Sequence, residues 1–277
     1  MGLRQDLTVR AKDVVKRRLG RGIAVDAFEE PYMVVAVLGQ SNAHGAGLGL
    51  ERQGLDAPHP RVHQWAASGR SKNTIVAGSN PLFHEVPSKA VGFAPTFAAR
   101  LADTTGRPVL IVPYARGDSG SARIHGISWD PADTGARVNL FWAAVDRIRT
   151  GLATTPGNEL AAVLWHQGES DVPLLTGPVY AEKLDTLIDT LRAEFGEVPF
   201  VLGQMVPDEI ESGEPNYAVI DAVHADTPRR RTNVAYVPGP KGLYNSDTEK
   251  IHYNAVGQRE LGHRMWTAFA RMSSHVE

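Results

Sequence analysis

Apolar and polar positions along the chain follow two rhythms in turn. Five apolar residues in a row, Val34 to Leu38, end at Gly39 and read as a strand buried on both faces of a sheet. Further strands are read at Val109 to Tyr114, Leu160 to Trp165, Phe200 to Met205 and Val234 to Val237, and a short one at Val62 to Ala66. Between them the spacing turns helical. Pro95 opens a stretch with Phe97 and Leu101 one turn apart, and Val138, Phe141, Val145 and Ile148 make one stripe. Tyr180, Leu184, Leu187, Leu191 and Phe195 make another, a further helix lies around Tyr217 to Ala225, and Leu261, Met265, Ala268 and Met272 form the last. Asn254 is a natural N-cap for that final helix. Strands alternating with helices predict a three-layer α/β/α sandwich around a parallel sheet of about five strands.

The segments that fit neither rhythm add to this picture. Residues 43–61 are rich in Gly and Pro and residues 69–87 are polar, and long connections after strands commonly wall binding sites. His63, Trp65 and His84 are therefore candidate wall residues, each also readable as a packed loop residue. Residues 1–30 form a basic N-terminal segment with Arg4, Arg10, Lys12, Lys16, Arg17, Arg18 and Arg21, and its apolar residues recur at roughly helical intervals. Such a helix either attaches to an anionic membrane surface or a protein partner, or packs as a solvated helix at the domain edge. No linker, repeat or composition shift divides residues 31–277, which read as a single domain.

Composition narrows the function classes. With 42% apolar and 22% charged residues and a formal net charge of -2, the chain is an ordinary globular protein without the basic excess of a nucleic-acid binder. It has no cysteine, which removes disulfides, thiolate nucleophiles and Cys-ligated zinc. His44, His125 and His166 match no zinc-binding spacing. Neither a secretory apolar run nor a membrane-spanning stretch is present, so a cytoplasmic chain is expected.

Candidate chemistry gathers at strand ends: GQSN at 39–42, ARGDSGS at 115–121 and WHQGESD at 165–171, with His252 just before the terminal helix. In a doubly wound sheet these segments meet above one edge. A serine, a histidine and a carboxylate from separate loops are the components of acyl transfer. Taken alone, Ser41 and Asn42 also suit a turn or helix cap. GDSGS invites a chymotrypsin-like reading with Ser119 as nucleophile, but those proteases are all-β and this chain alternates.

GQSN, WHQGESD and the segment around His252 resemble the sequence blocks of the SGNH hydrolase superfamily, in its sialate O-acetylesterase and acetylxylan esterase branch. The resemblance spans roughly residues 33–272, and WHQGESD is its most specific part. It implies a flavodoxin-like fold and metal-independent, cofactor-free ester hydrolysis, commonly of acetyl on an acylated carbohydrate. By position it implies Ser41 as nucleophile, His252 as general base, and Ser41, Gly117 and Gln167 as oxyanion donors. Where relatives carry aspartate three residues before the histidine, this chain has Glu249, with Asp247 as the rival acid. Asp118 interrupts the second block, which makes Gly120 a rival donor to Gly117. Gln40, Asn42, His84 and Asp118 are candidate substrate contacts, while Glu169 and Asp171 are read as braces between loops. Two other functions compete: a lipase or thioesterase for longer acyl chains, and an inactive carbohydrate-binding homologue.

Overall fold

The computed structural model describes residues 21–213 and 215–273. Strand β1 (Met33–Gly39) runs into the one-turn helix α1 (Ser41–His44). The long connection that follows contains β2 (Val62–Trp65) and β3 (Ile75–Ala77). Then come α2 (Ala94–Thr105), β4 (Val109–Ala115), the two-residue strands β5 (Ile127–Ser128) and β6 (Val138–Asn139), and α3 (Leu140–Leu152). The second half runs through β7 (Glu159–His166), α4 (Gly177–Phe195), β8 (Phe200–Gly203), the short α5 (Pro207–Ile210), α6 (Ala218–Arg230) and β9 (Val234–Val237). A hairpin of β10 (Tyr244–Ser246) and β11 (Glu249–Tyr253) leads into α7 (Ala255–Ser273). No described helix is long and apolar enough to cross a membrane.

The main sheet has the order β3-β2-β4-β1-β7-β8-β9 and is parallel except for β3. Taken in chain order, β1, β4, β7, β8 and β9 fill the 2-1-3-4-5 arrangement of flavodoxin-like sheets. The sheet is wider than the expected five strands because β2 and β3 extend it beyond β4. The three residues of β3 sit in a polar stretch, and their antiparallel pairing with β2 makes them a strand without local periodicity.

Strand β1 lies at the centre, and its side chains alternate between two cores. Val34, Ala36 and Leu38 join α3, α4 and the start of α6 on one face. Val35 and Val37 join α2 and α7 on the other. Asn139 caps α3 by accepting from the Trp142 N–H at 3.2 Å, and Gly106 ends α2 in the left-handed conformation. Asn254 caps α7 as expected, its Oδ1 accepting from the Gly257 N–H at 2.9 Å.

The helix expected over residues 1–30 lies mostly outside the described residues. Its described part, from residue 21 on, is extended: Ala24 bridges to Val76, and the Ala77 N–H donates to the Ile23 carbonyl at 3.0 Å. Pairing with β3 satisfies backbone groups there that a helix would have bonded internally.

Candidate active site

Gly39 stands level with Ala115 on one side and His166 on the other, so β4, β1 and β7 end together. The chain winds in opposite directions from β1, which opens a crevice at these ends. GQSN, ARGDSGS and WHQGESD all leave the sheet there, as the sequence predicts. Gly39 sits at φ +125°, and a Cβ on it would stand 2.1 Å from the His166 carbonyl oxygen. The Gln40 N–H donates to that oxygen at 2.9 Å, and the Arg116 N–H donates to Gly39 O at 3.0 Å. Only glycine permits this approach. The sharp turn starts α1 at Ser41, which is half-buried at the crevice.

The next residue ties the crevice to the end of the chain. Asn42 is fully buried, and its Nδ2 donates to the Ile251 carbonyl at 3.0 Å and to Glu169 Oε1 at 3.1 Å. Its Oδ1 accepts from the Tyr253 N–H and from Gln258 Nε2, each at 3.1 Å. The amide of the residue that follows Ser41 thus holds the backbone on both sides of His252. Asn42 is expected from sequence to meet substrate; the structure corrects this, because its two donors and two acceptor positions are all filled within the fold.

His252 Nδ1 is hydrogen-bonded to Glu249 Oε1, and the His252 side chain remains 26% exposed. Asp247 points elsewhere and accepts from the Tyr244 hydroxyl at 3.0 Å. Glu249 opens β11, the strand that carries His252, whereas Asp247 belongs to the turn between β10 and β11.

The second and third blocks are bound to each other. The Asp171 carboxylate accepts from the Ser121 N–H at 2.7 Å, the Ala122 N–H at 2.8 Å and Gln167 Nε2 at 2.7 Å. Burial holds Asp171 above the usual carboxylate range, against the pull of these hydrogen bonds. Glu169 accepts from Asn42, so both acids connect loops. Gln167 does not open onto the crevice as an oxyanion donor. It is fully buried, its Nε2 is taken up by Asp171 and, at 3.3 Å, by Gln40 Oε1, and its Oε1 accepts from the Tyr180 hydroxyl at 3.0 Å. Gln40 is also nearly buried, its Oε1 accepting from the Gly168 and Ser170 N–H groups at 3.3 Å, so it serves the loops more than a ligand.

Within ARGDSGS the two glycines differ. Nothing stands within 4 Å of a Cβ built on Gly117, while one built on Gly120 would lie 2.5 Å from Asp171 Oδ1. Gly117 therefore borders open space, and Gly120 is small so that Asp171 can pack against it. Asp118 is exposed at φ +55°, a left-handed turn conformation that aspartate tolerates. Ser119 is fully buried, donating to Arg116 O at 2.6 Å and accepting from Trp129 Nε1 at 2.9 Å, which rules it out as a nucleophile. His84 is fully buried rather than lining a wall, and its Nδ1 accepts from the Ala115 N–H at 2.8 Å. His63 is likewise internal, bonded to the Tyr32 hydroxyl at 2.7 Å and stacked on Phe28, and Trp65 packs against the Arg147 guanidinium.

Comparison with known proteins follows this geometry. Residues 31–271 match the family model described as carbohydrate esterase, sialic acid-specific acetylesterase. The chain belongs to this family. The esterase superposes on the crystal structure of NanS with a TM-score of 0.76 at 20% identity, covering 90% of this chain and 100% of that one. A protein from Arabidopsis thaliana follows with a TM-score of 0.70 at 21% identity, over 87% and 99% of the two chains. A carbohydrate acetylesterase from Xanthomonas citri gives 0.59 at 20% identity, with 88% of this chain covered and 56% of that one. Comparison with curated proteins finds no match. The fold is thus that of SGNH-type hydrolases, and the chain is a carboxylic ester hydrolase of the carbohydrate esterase kind.

Three histidines beneath the esterase's crevice are kept neutral by burial. His224, bonded to the Tyr180 hydroxyl at 2.9 Å, is pushed down to about 3; His84 and His166 are also lowered. A histidine depressed in the fold contributes stability that is present above its unfolded pKa, about 6.5, and lost as pH falls through the folded value. His224 alone is expected to lower the unfolding free energy by about 2 kcal/mol between pH 6.5 and 5, since each pH unit is worth about 1.4 kcal/mol per proton. Asp171, whose pKa is raised, works in the opposite sense at lower pH. Urea unfolding at pH 8, 6.5 and 5 measures the slope, and His224→Gln should flatten it by one proton. A stability independent of pH across this range contradicts the assignment.

Proposed function

We propose that this esterase removes acetyl groups from a carbohydrate through an acyl-enzyme on Ser41. The observation that carries the reading is the Asn42 side chain, which holds the His252–Glu249 pair against the turn bearing Ser41. His252 takes the Ser41 hydroxyl proton as Oγ attacks the acetyl carbonyl, because a serine hydroxyl is a weak nucleophile without an adjacent base. Glu249 on Nδ1 keeps Nε2 free as the acceptor and stabilises the imidazolium that forms. The N–H groups of Ser41 and Gly117 receive the oxyanion, and the open space at Gly117 suits a carbonyl arriving there. The imidazolium then protonates the leaving sugar oxygen. Water, deprotonated by His252, attacks the acetyl-serine, and the imidazolium returns that proton to Ser41 Oγ as the acyl bond breaks and acetate leaves.

Beside Gly117 lies a cavity of about 240 Å³ lined by Arg116, Arg137, Glu85, Ile127, Val138 and Leu140. Two guanidinium groups outnumber the single carboxylate of Glu85 in this lining, and the net positive charge favours a sugar that carries a carboxylate. This agrees with the sialic acid in the family's description.

Three measurements test the proposal. A fluorophosphonate probe is expected to label the protein once, at Ser41, and the rate with acetate esters is expected to exceed that with butyrate and octanoate esters. Among sugar substrates, acetylated sialic acid should outpace an acetylated neutral pyranose. Absence of labelling would leave the binding-only homologue standing, and faster octanoate hydrolysis would make the enzyme a lipase or thioesterase.

A further inference from the structure

A glutamate in the acid position is longer than an aspartate by one methylene and one rotatable bond. Its carboxylate must be fixed at more than one point if it is to present a constant geometry to the histidine. The Glu249 side chain is 40% exposed, so packing alone does not fix it. Its Oε1 meets His252 Nδ1, and its Oε2 accepts from Asn245 Nδ2 at 3.3 Å. Asn245 is itself held from the other side. Its Oδ1 accepts from the Leu48 N–H at 2.9 Å, and its Nδ2 also donates to the Ala46 carbonyl at 3.0 Å. Leu48 N–H can only donate and Ala46 C=O can only accept, so the amide has one orientation, with a donor turned to Glu249.

The hairpin carries an irregularity at this position. Tyr244 pairs with Tyr253 and Ser246 with Glu249, which leaves Asn245 opposite Lys250, Ile251 and His252. Such departures from regular pairing bend a strand and re-aim its side chains. Asn245 therefore spans the bend that carries His252. It is anchored on the segment immediately after α1, which begins at Ser41.

We propose that Asn245 is a positioning residue for catalysis: it fixes the Glu249 carboxylate against His252 and ties both to the segment that follows Ser41. This inference rests on reading Ser41, His252 and Glu249 as one catalytic unit. No motif marks Asn245, and it acts through Glu249 without touching substrate.

A double-mutant cycle tests it, with acetate ester hydrolysis as the readout. Asn245→Ala is expected to lower kcat by about tenfold and to leave KM within about twofold, because alignment and not binding is lost. Glu249→Ala is expected to lower kcat by about a thousandfold or more. The double variant should be no slower than Glu249→Ala alone, since Asn245 has nothing left to position. Asn245→Asp keeps the acceptor used by Leu48 but faces Glu249 with a second carboxylate, and is expected to lose at least as much kcat as Asn245→Ala. It also covers the case in which Asn245→Ala fails to fold. A double variant about tenfold slower than Glu249→Ala, or an Asn245→Asp protein as fast as the parent, overturns the proposal. A fully active Glu249→Ala protein overturns the catalytic unit itself, which distinguishes failure of the underlying reading from failure of this one.

Discussion

Replacing Ser41 with alanine is expected to lower kcat on acetyl esters by about ten-thousand- to million-fold, the range found when a serine nucleophile acting with a histidine is removed. The loss is chemical and not structural. Ser41 is half-buried and opens a one-turn helix, a position where alanine fits without strain. The melting curve should therefore stay close to that of the parent, and KM for the acetyl ester should change little. Because the members of the unit act together, His252→Ala is expected to cost about as much, and the Ser41→Ala/His252→Ala double variant should be no slower than either single one. Retention of more than a tenth of the parent rate by purified Ser41→Ala protein would remove the acyl-enzyme mechanism from consideration.

The second large effect is on the fold. Gly39→Ala is expected to destabilise the protein by about 3 to 5 kcal/mol, combining a left-handed backbone that a Cβ disfavours with overpacking against main chain. The atom in the way is the His166 carbonyl oxygen, 2.1 Å from the added Cβ. That oxygen cannot swing aside as a flexible side chain would, since it also accepts from the Gln40 N–H in the turn before Ser41. Relief requires β1 and β7 to part at the end where both site loops begin. Urea unfolding measures the loss, and residual esterase activity per folded molecule should fall with it. A change below about 1 kcal/mol would mean that the strand ends shift more easily than this packing implies.

Local pattern carried much of this architecture. The unbroken apolar run from Val34 to Leu38 announces a central strand because a strand covered on both faces has no solvent side to mark with polar residues. The stripe from Tyr180 to Phe195 announces α4 in the same way. Strand β3 was illegible, since its three residues become a strand only through β2 and through the chain near Ala24. In the site, the segments were legible but the directions of their side chains were not. Gln167 belongs to the most specific block yet turns inward, because Asp171, four residues later, offers its amide a buried acceptor. The choice between Glu249 and Asp247 depended on hairpin geometry, which lies beyond what spacing conveys. Asn245 left no trace in the sequence pattern, being an asparagine in a short strand of polar sequence whose partners lie near residue 47.

The bracket that Asn42 places around His252 also sets a schedule. Its two backbone partners lie 209 and 211 positions further along the chain. At about 5 to 20 residues per second, ribosomal synthesis would separate the emergence of the serine from that of its histidine by roughly 10 to 40 s. During that interval the nascent chain exposes a serine with no base beside it. On the proposed mechanism, hydrolytic competence thus waits until the β10–β11 hairpin docks beside the turn that bears Ser41. On that mechanism, a chain halted before the hairpin is expected to carry the WHQGESD and GQSN segments complete and still fail to hydrolyse an acetyl ester.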